Sequence, residues 1–344
     1  MAVKTKNITI HSVAEAAGVS ISTVSRVVNK LGRVAPDTRK KVESAIRDLD
    51  FHPNMRAQAL SKKCTDTIGL VVPDFEGQYF SMLMEGANEE AERNGVHLMV
   101  LKAKGSQSKV EAIIRLCSGG RTDGLILMLD ELWDNVLDIV GNVDSPMVIL
   151  DKDVNYKRLD NILVDNRMGA YEAARHLIET HNAGELFFIG GPENNVDTMD
   201  RAQGFADALR QAGLDPKGRQ FFGLEYSYDE GYVLTKNKIA RIINPSAMTG
   251  IVAANDDIAC GAIDALEDMN IKVPDQVGVI GFDDSYITIR RRLKLSSMRI
   301  PMKEIGSAAV KMILNRIDDK DLEPSKLILK ARLIVRESCG CNRK

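Results

Sequence analysis

The sequence lacks any apolar run long enough to cross a membrane. A bilayer-spanning helix needs roughly 18 or more consecutive apolar residues, and no stretch of the 344 residues approaches that length. The N-terminal segment MAVKTKNITIHSV carries lysines but no apolar core of the kind that a secretory signal requires. These absences argue against a membrane protein and against a secreted solute-binding protein, and they predict a cytoplasmic chain.

Cysteine is scarce, and its spacing suggests no disulfide framework. Cys64, Cys117 and Cys260 are isolated, and Cys339 and Cys341 lie near the end of the sequence. An odd number of cysteines without regular spacing predicts reduced thiols. The last two form a C-x-C pair in a polar tail. Because structural zinc usually takes four ligands, a metal or redox role for this pair is the less favoured interpretation.

Motifs for catalysis and cofactor binding are missing as well. The segment GGPENN at 190–195 lacks both the Walker lysine and the spaced glycines of a dinucleotide site. No Ser-His-Asp or Cys-His arrangement can be argued. The five histidines show no metal-ligand spacing, and the five-residue separation of His176 and His181 should not place them well on one helix face. The sequence therefore predicts no enzyme, no cofactor and no metal.

Charge is present in quantity but is unevenly distributed. Residues 1–63 contain 12 Lys and Arg against 5 Asp and Glu, whereas the rest of the chain contains 34 against 43. A small basic head on an acidic body is the electrostatic pattern of a nucleic-acid-binding protein. A solvated basic surface would give the same composition, so the charge needs support from motifs.

The pattern of apolar residues divides the chain into four parts. Residues 1–51 predict a small helical domain, 52–66 a hinge helix and linker, 67–338 an α/β core for effector binding and dimerisation, and 339–344 a tail. The core alternates buried apolar strands with amphipathic helices, which is typical of doubly wound parallel sheets. The core contains more strand–helix units than one sheet of usual size holds. We therefore expect two lobes, with a ligand crevice at the carboxyl ends of the strands. The predicted strands are 67–72, 96–101, 124–129, 147–151, 186–190, 249–254 and 277–281.

The N-terminal part has the pattern of a helix-turn-helix. Ser12 is expected to cap a first helix, with Glu15 three residues later as a capping box requires. Gly18 supplies the turn, Val19 is an apolar plug between the helices, and Ser20 caps a second helix over 21–28. A third helix begins at a proline in its first turn. The alternative interpretation is a generic three-helix bundle without a DNA-reading helix.

The second helix of such a motif enters the major groove of DNA with its N-terminal residues on base edges. Here the expected base readers are Ile21, Ser22 and Arg26, and the arginine could donate bidentately to a guanine. Phosphate contacts that fix the register are expected from Thr23, Ser25 and Asn29. The predicted set is completed by Thr9 and Ser20.

The segment PNMRAQALS at 53–61 predicts a helix of about two turns, which is too short to be stable alone. Its composition fits a helix that folds on DNA. Asn54 and Ala57 would lie at the minor groove, and Leu60 would wedge into a base step. A plain linker is the alternative.

These residues resemble the lactose-repressor family of transcription regulators (LacI/GalR family). The resemblance is carried by VAEAAGVSISTVSRVVN, VAPDTRKKVESAI and PNMRAQAL in the head. It continues to about Glu337 through IGLVVPD, DGLILM, VDNRMGAYEAARHL, FIGGP, IVAANDDIACGA and VGVIGFDD. The resemblance implies a repressor whose core is similar to periplasmic binding proteins, and a homodimer on a pseudo-palindromic double-stranded DNA operator. Ile21 and Ser22 depart from the larger polar side chains frequent in the family, so operator specificity does not carry over.

Polar residues that follow the predicted strands are candidates for the effector site. A polyol site needs charged groups in fixed geometry and an apolar or aromatic wall. By resemblance, the Arg201 guanidinium donates bidentate hydrogen bonds to ligand hydroxyls or a carboxylate, and Asp283 accepts hydrogen bonds from ligand hydroxyls. The full candidate set is Asp74, Tyr79, Phe80, Asp151, Asp197, Arg201, Tyr226, Asn255 and Asp283.

A lone aspartate at a strand end is more often a helix cap than a ligand, and Asp256 and Asp284 are interpreted as caps or interface residues. The expected effector is a sugar or sugar derivative, and a purine or another non-sugar ligand is the alternative. An architectural DNA-binding protein without a ligand is a further alternative, but it predicts a filled crevice, and the polar residues at the strand ends argue against that.

Overall fold

The structure is a computed structural model that describes residues 8–29, 32–51, 64–75, 77–118, 120–128, 143, 145–156, 159–243 and 247–341. The predicted minor-groove residues Asn54, Ala57 and Leu60 lie outside these ranges. Within them the chain separates into two compact units, residues 1–66 and 67–344. None of the described helices is long and apolar enough to span a bilayer.

The first unit contains three short helices, α1 (Ile10–Ala17), α2 (Ile21–Val28) and α3 (Pro36–Asp48). Gly18 ends α1 in the left-handed region, with φ of 65°, where a residue without a Cβ costs least. Ser20 caps α2 by accepting a hydrogen bond from the Thr23 N–H at 3.2 Å. The turn and this cap are as predicted. The core of the unit consists of Val13, Ala14, Val24, Val27, Val42, Ala45 and Phe51.

The prediction for the start of α1 is wrong. The helix begins at Ile10, and its N-cap is Thr9 rather than Ser12. Ser12 lies within the first turn, where its hydroxyl accepts a hydrogen bond from the Thr9 N–H at 3.4 Å. Both residues favour caps, and the earlier one prevails because Ile10 then packs against the core of the unit.

The second unit contains two lobes, each built on a six-stranded sheet. The sheet of lobe 1 is parallel throughout, in the order β11-β5-β4-β3-β1-β2. The helices of this lobe include α4 (Gln78–Arg93), α5 (Ser106–Ile113) with a π-helical continuation (Ile114–Ser118), and α11 (Met302–Asp318). Its strands are β1 (Thr67–Val72), β2 (His97–Lys102), β3 (Gly124–Met128), β4 (Met147–Leu150), β5 (Leu159–Val164) and β11 (Lys326–Leu329).

The sheet of lobe 2 has the order β12-β10-β9-β8-β6-β7, and only β12 runs antiparallel to its neighbour. Its strands are β6 (Glu185–Gly190), β7 (Gln220–Phe222), β8 (Thr249–Ala253), β9 (Val277–Asp283), β10 (Ser296–Arg299) and β12 (Arg332–Ile334). Its helices are α6 (Asn166–His181), α7 (Val196–Gln211), α8 (Tyr228–Leu234) with a π-helical continuation (Thr235–Ile239), α9 (Asp256–Asp268) and α10 (Ile287–Arg290).

All seven predicted strands are present within one or two residues, and the two-lobed α/β architecture is confirmed. Five strands were not predicted, namely β5, β7, β10, β11 and β12. The expectation that every predicted strand is buried on both faces is wrong for β2. That strand lies at the edge of its sheet, and Met99 within it is 38% exposed.

The chain passes between the lobes at three points: from β5 to α6, from β10 to α11, and from β11 to β12. Each connection is only a few residues long. Three short parallel connections between two rigid bodies form a hinge, which permits rotation of one lobe against the other.

A buried ion pair fixes the late strand β11 beside β5. Arg316 on α11 donates two parallel hydrogen bonds to Asp160 on β5, Nε to Oδ2 at 2.8 Å and Nη2 to Oδ1 at 2.7 Å, and both side chains are 3% exposed. The Ser325 N–H and hydroxyl donate to the same carboxylate. Burial raises the pKa of Asp160, but the hydrogen bonds from Arg316 and Ser325 outweigh it and the pKa is lowered.

Arg316→Met is therefore expected to lower the free energy of unfolding of the second unit by about 3–5 kcal/mol, because it leaves a buried carboxylate without its counter-charge. The matched control is Arg175→Met, which removes an exposed pair with Glu179 at 3.9 Å and should cost no more than about 1 kcal/mol. Thermal unfolding of both variants measures the difference. Equal melting temperatures would contradict the assigned role of the buried pair.

The end of α6 and the last described residues differ from expectation in two ways. The rings of His176 and His181 contact each other, with centroids 5.2 Å apart, although the spacing argued against a shared face. The boundary between core and tail drawn after residue 338 cuts through packed structure, because Cys339 is completely buried. Residues 340 and 341 thus pack against the histidines of α6 instead of belonging to a separate tail.

Candidate functional site

The predicted base readers lie on the exposed side of α2. Val24 and Val27 face the core of the unit, whereas Ile21, Ser22 and Arg26 are exposed. Ile21 is a large apolar side chain that is 39% exposed. An exposed apolar residue at the start of a helix suits contact with a thymine methyl group.

The N-terminus of α2 also holds a group of hydroxyls. Ser20 Oγ lies 2.8 Å from Ser22 Oγ and 2.9 Å from Thr23 Oγ1. The first N–H groups of a helix and its dipole attract phosphate oxygens. One turn further, the Asn29 amide donates to Ser25 Oγ at 3.2 Å. This surface can approach a phosphate backbone, and the DNA-contacting roles of its residues, Thr9 included, stay predictions.

The second unit contains a cavity of about 230 Å³ between its lobes, at the carboxyl ends of the strands. Such an edge is where open α/β sheets bind ligands. The cavity is lined by Pro73, Gly77, Gln78, Tyr79, Phe80, Met128, Asp151, Asn195, Asp197, Arg201, Tyr226, Asn255, Asp256, Asp257, Asp283 and Ser285.

Arg201 on α7 is held from several directions. Its guanidinium lies 4.0 Å from the centroid of the Phe282 ring, and Nε donates to Asn166 Oδ1 at 2.9 Å. Nη1 donates to the Ala254 carbonyl, and Nη2 is 3.5 Å from Asp197 Oδ2. Burial lowers the pKa of Arg201, but the charges of Asp197 and Asp283, together with Tyr226 and Tyr79, raise it above its ordinary value. The arginine is therefore a fixed, permanently charged donor in the cavity wall.

Asp283 is the last residue of β9, and its backbone is strained. Its φ of 98° is unusual for any residue with a side chain, and such strain is found where function requires a particular orientation. The Oδ1 atom is buried and has no hydrogen-bond partner among the described residues. Burial, opposed by the charge of Arg201 and assisted by those of Asp197 and Asp257, raises the pKa of Asp283 to about 6. A buried acceptor without a donor is the feature that a ligand hydroxyl would satisfy.

Tyr226 is positioned by the loop after β6. Its hydroxyl donates to Asn195 Oδ1 at 2.8 Å and lies 2.6 Å from Thr198 Oγ1. A Cβ at Gly191 would lie 2.9 Å from the Tyr226 ring. The glycine pair of GGPENN thus makes room for aromatic rings.

Lobe 1 provides two of the aromatic side chains that line the cavity. Tyr79 and Phe80 lie in the first turn of α4, and their rings meet edge to face with centroids 5.3 Å apart. Burial raises the pKa of Tyr79 well above its ordinary value, as do Asp151, Asp197 and Asp283. Since the last two belong to lobe 2, the phenol lies where groups of both lobes converge.

Among the described residues, the cavity lining contains five aspartates and one arginine. Burial raises the pKa of Asp256 well above its ordinary value, as does the charge of Asp283. A site with excess carboxylate repels anions and offers acceptors to hydroxyl and ammonium groups. Its chemistry therefore suits neutral polyols or amines better than phosphorylated compounds.

Eight of the nine candidate effector residues line this cavity, and Asp74 does not. The Asp74 carboxylate instead accepts a hydrogen bond from Lys102 Nζ at 2.7 Å. Asn255 lines the cavity and also caps α9, where its side chain accepts from the Ile258 N–H at 2.9 Å. For this residue the ligand and cap interpretations do not exclude each other.

Some residues of the site were not predicted. Asn166 bridges Arg201 and Asp197, and Asn195 caps α7 while it accepts from Tyr226. Asp256 was expected to be a cap or interface residue, but it is 2% exposed, lines the cavity, and accepts from the hydroxyls of Ser285 and Ser297. Asn195 could have been found as the residue that precedes a helix in a glycine-rich loop.

Asp284, the other residue interpreted as a cap or interface residue, is held by two arginines. Its carboxylate is 2.6 Å from Nη2 of both Arg299 and Arg336. It differs in this from its neighbour Asp283, whose Oδ1 has no hydrogen-bond partner in the part of the chain that the structure describes.

Comparison with known proteins assigns both units. Residues 9–54 match the bacterial regulatory proteins of the lacI family, and residues 174–339 match a periplasmic binding protein-like domain. The HTH-type transcriptional regulator RegA of Clostridium saccharobutylicum is 31% identical over 330 residues, which cover 96% of this chain and 98% of that protein.

Several solved structures are similar along nearly the whole chain. The Lac repressor dimer bound to operator and the anti-inducer ONPF superposes with a TM-score of 0.87 at 25% identity, covering 97% of this chain and 99% of that one. The complex of the transcriptional regulator CelR with cellobiose gives 0.72 at 27% identity, covering 96% and 100%. The chain therefore belongs to the LacI family of bacterial regulatory proteins, and it is a DNA-binding transcriptional regulator with a ligand-binding domain.

Proposed function

We propose that this regulator is a repressor whose operator affinity is controlled by a neutral sugar or sugar derivative bound in the cavity between its lobes. The observation that carries the proposal is the pairing of a fixed donor, Arg201, with Asp283, an acceptor unsatisfied among the described residues, in one cavity lined by three aromatic side chains. Hydroxyl groups both donate and accept, so a polyol satisfies both charges at once.

The charge balance of the cavity supports this class of ligand. Five aspartates face one arginine, which disfavours sugar phosphates and sugar acids. The lining combines carboxylates and amides with the edge-to-face rings of Tyr79 and Phe80, which fits the mixed polar and apolar faces of a saccharide better than a flat purine. Cellobiose is the ligand of one structural relative, which supports the same class.

The proposed mechanism uses the hinge between the lobes. A ligand that touches both lobes stabilises one relative orientation over others, because its contacts differ between the two states. In a homodimer this rotation alters how two helix-turn-helix units meet a pseudo-palindromic operator. The coupling is reciprocal, so operator DNA must change effector affinity by the same factor.

A thermal-shift screen tests the ligand class. The panel holds neutral sugars, amino sugars, sugar phosphates, sugar acids and purines. A ligand at 100 times its dissociation constant stabilises the folded state by about 2.7 kcal/mol, and we expect hits among neutral or amino sugars. Hits confined to purines or to phosphorylated sugars would contradict the proposed ligand class while leaving the DNA-binding assignment intact.

Arg26→Ala tests the proposed base contact. Operators are first selected from randomised duplexes with the wild-type protein. The variant should lose about 1–3 kcal/mol of discrimination at one position of each half-site, as expected for a bidentate contact to guanine. Arg47→Ala, which removes an exposed arginine from α3, is the control and should keep the wild-type preference. A uniform loss over all sequences would make Arg26 a phosphate contact.

A further inference from the structure

Two histidines and two cysteines meet at the end of α6, and none of them lines the cavity between the lobes. They are His176, His181, Cys339 and Cys341, and their candidate ligand atoms all lie within 4.8 Å of one another. Nε2 of His181 is 3.1 Å from Cys341 Sγ, and Nε2 of His176 is 3.4 Å from the same sulfur.

These distances approach those of a tetrahedral metal site. Zinc binds imidazole nitrogen at about 2.0–2.1 Å and thiolate sulfur at about 2.3 Å, which places tetrahedral ligand atoms roughly 3.3–3.8 Å apart. Two nitrogens and two sulfurs are also the donor set of many closed structural zinc sites. Small movements of side chains would suffice to bring all four atoms onto one ion.

The segment that carries the two cysteines, residues 338–341, is held in place by the sheet of lobe 2. The buried Ser338 accepts at its carbonyl from the Val279 N–H at 2.8 Å, and its hydroxyl accepts from the Ser296 N–H at 2.8 Å. The same hydroxyl donates to the Val279 carbonyl at 2.6 Å. The C-x-C pair therefore begins at an anchored residue, so little conformational entropy remains to be lost on metal binding.

Gly340 lets the chain turn between the two sulfurs. Its φ of 105° is accessible to glycine and unfavourable for other residues. A Cβ at this position would lie 3.2 Å from the ring of His181. The glycine thus allows both cysteines to face the histidines at close range.

The histidines are oriented for metal binding as well. Nδ1 of His176 lies 3.4 Å from Thr180 Oγ1, and a ligating histidine commonly donates its other ring N–H to such a partner. His181 is the last residue of α6. The C-terminal end of a helix carries partial negative charge, which favours a cation beside it.

We propose that these four residues form a Cys2His2 site for zinc, which joins the end of α6 to the segment after β12. The site lies within lobe 2 and is independent of the effector cavity. Its closed, four-protein-ligand composition fits a structural ion rather than a catalytic one. Because a bound ion would crosslink residues 160 positions apart, it should stabilise lobe 2 in a way that no hydrogen bond among these side chains can.

The test uses the full chain without a histidine tag, purified under reducing conditions. Metal content is measured by inductively coupled plasma mass spectrometry, and the metal-free protein is titrated with Co²⁺ and Zn²⁺. We expect one zinc per chain, a thiolate-to-cobalt charge-transfer band, and the intense visible bands of tetrahedral cobalt. Zinc should also raise the melting temperature of the metal-free protein.

Cys341→Ser and His176→Gln should each abolish stoichiometric zinc binding. With Co²⁺, each variant should lose the thiolate-to-cobalt charge-transfer band or the visible bands of tetrahedral cobalt. Neither side chain belongs to the buried core, so both variants should fold, which circular dichroism checks. Cys117→Ser and His97→Gln remove a thiol and an imidazole elsewhere and should retain one zinc per chain.

Three results would overturn the proposal. One is reduced wild-type protein that binds neither ion with these spectra. Another is equal loss of zinc in the control variants. The third is a Cys339–Cys341 disulfide, seen as a mass lower by two hydrogens, that persists under the reducing conditions and excludes metal.

Discussion

Arg201→Lys is expected to abolish the response to the effector while operator binding stays at the wild-type level. Lysine keeps the positive charge that balances Asp197 and Asp283, so the lobe should fold. It cannot reproduce the arginine fork that reaches Asn166, the Ala254 carbonyl and Asp197 together. The effector would then meet an ammonium group whose position these neighbouring groups do not fix.

The measurement is fluorescence anisotropy of a labelled operator, with and without saturating effector. We expect effector affinity to fall at least about 100-fold, equivalent to about 2.7 kcal/mol, as for loss of charge-assisted hydrogen bonds in a buried site. Arg210→Lys on the same helix is the control, since that arginine is exposed and pairs with Asp207. A normal response in Arg201→Lys would remove Arg201 from the effector site.

Asp283→Asn is expected to stabilise the protein and to impair effector binding at the same time. The pKa of Asp283 is about 6 in the folded protein, above its ordinary value of 3.8. Between these values the folded state binds more protons than the unfolded state, so stability falls as pH rises through this window. Above pH 6 the ionised carboxylate carries the full penalty, of the order of 1–3 kcal/mol.

The asparagine does not ionise, so its melting temperature should exceed that of the wild type at about pH 7.5 and should match it at about pH 4. Effector affinity should fall about 10- to 100-fold, because an amide oxygen replaces a charged acceptor. A variant that binds effector normally, or that is destabilised at both pH values, would contradict the assigned role.

The neighbouring aspartate provides the control with the opposite expectation. Asp284 pairs with Arg299 and Arg336, each at 2.6 Å. Asp284→Asn should therefore destabilise the protein by about 1–3 kcal/mol at neutral pH, the cost of losing hydrogen bonds between charged groups. Two adjacent aspartates with opposite effects would separate a carboxylate kept for binding from one kept for stability.

Most of the strand-end residues of the site could be predicted from the sequence, since an apolar run followed by a polar residue places that residue at the sheet edge. Asp151 and Asp283 were found in this way, whereas Arg201 lies on α7 and its role came from the family resemblance. The support behind them could not be, because Asn166 contacts Arg201 across 35 positions and only the fold brings them together. The same holds for Asp160 and Arg316, which are 156 positions apart.

Strand β10 shows why part of the fold escaped prediction. Its first two residues, Ser296 and Ser297, are fully buried, although serine is typical of exposed loops. They are tolerated because their hydroxyls have partners: Ser297 donates to Asp256 at 2.6 Å, and Ser296 accepts from the Arg336 N–H at 2.8 Å. Those partners come from other elements, so local sequence gives no sign of them.

The three crossings between the lobes have a consequence for synthesis of the chain. Each lobe is discontinuous in sequence, and each sheet receives an outer strand late, β11 at residues 326–329 and β12 at 332–334. After β5 is made, about 160 further residues follow before β11 can pair with it, and after β10 about 30 follow before β12. In these intervals the strand edges are unpaired, and unpaired edges invite association with other chains. The helix-turn-helix unit is complete some 270 residues earlier. During translation the nascent regulator therefore has a finished DNA-binding unit long before it has a sensor that could control it.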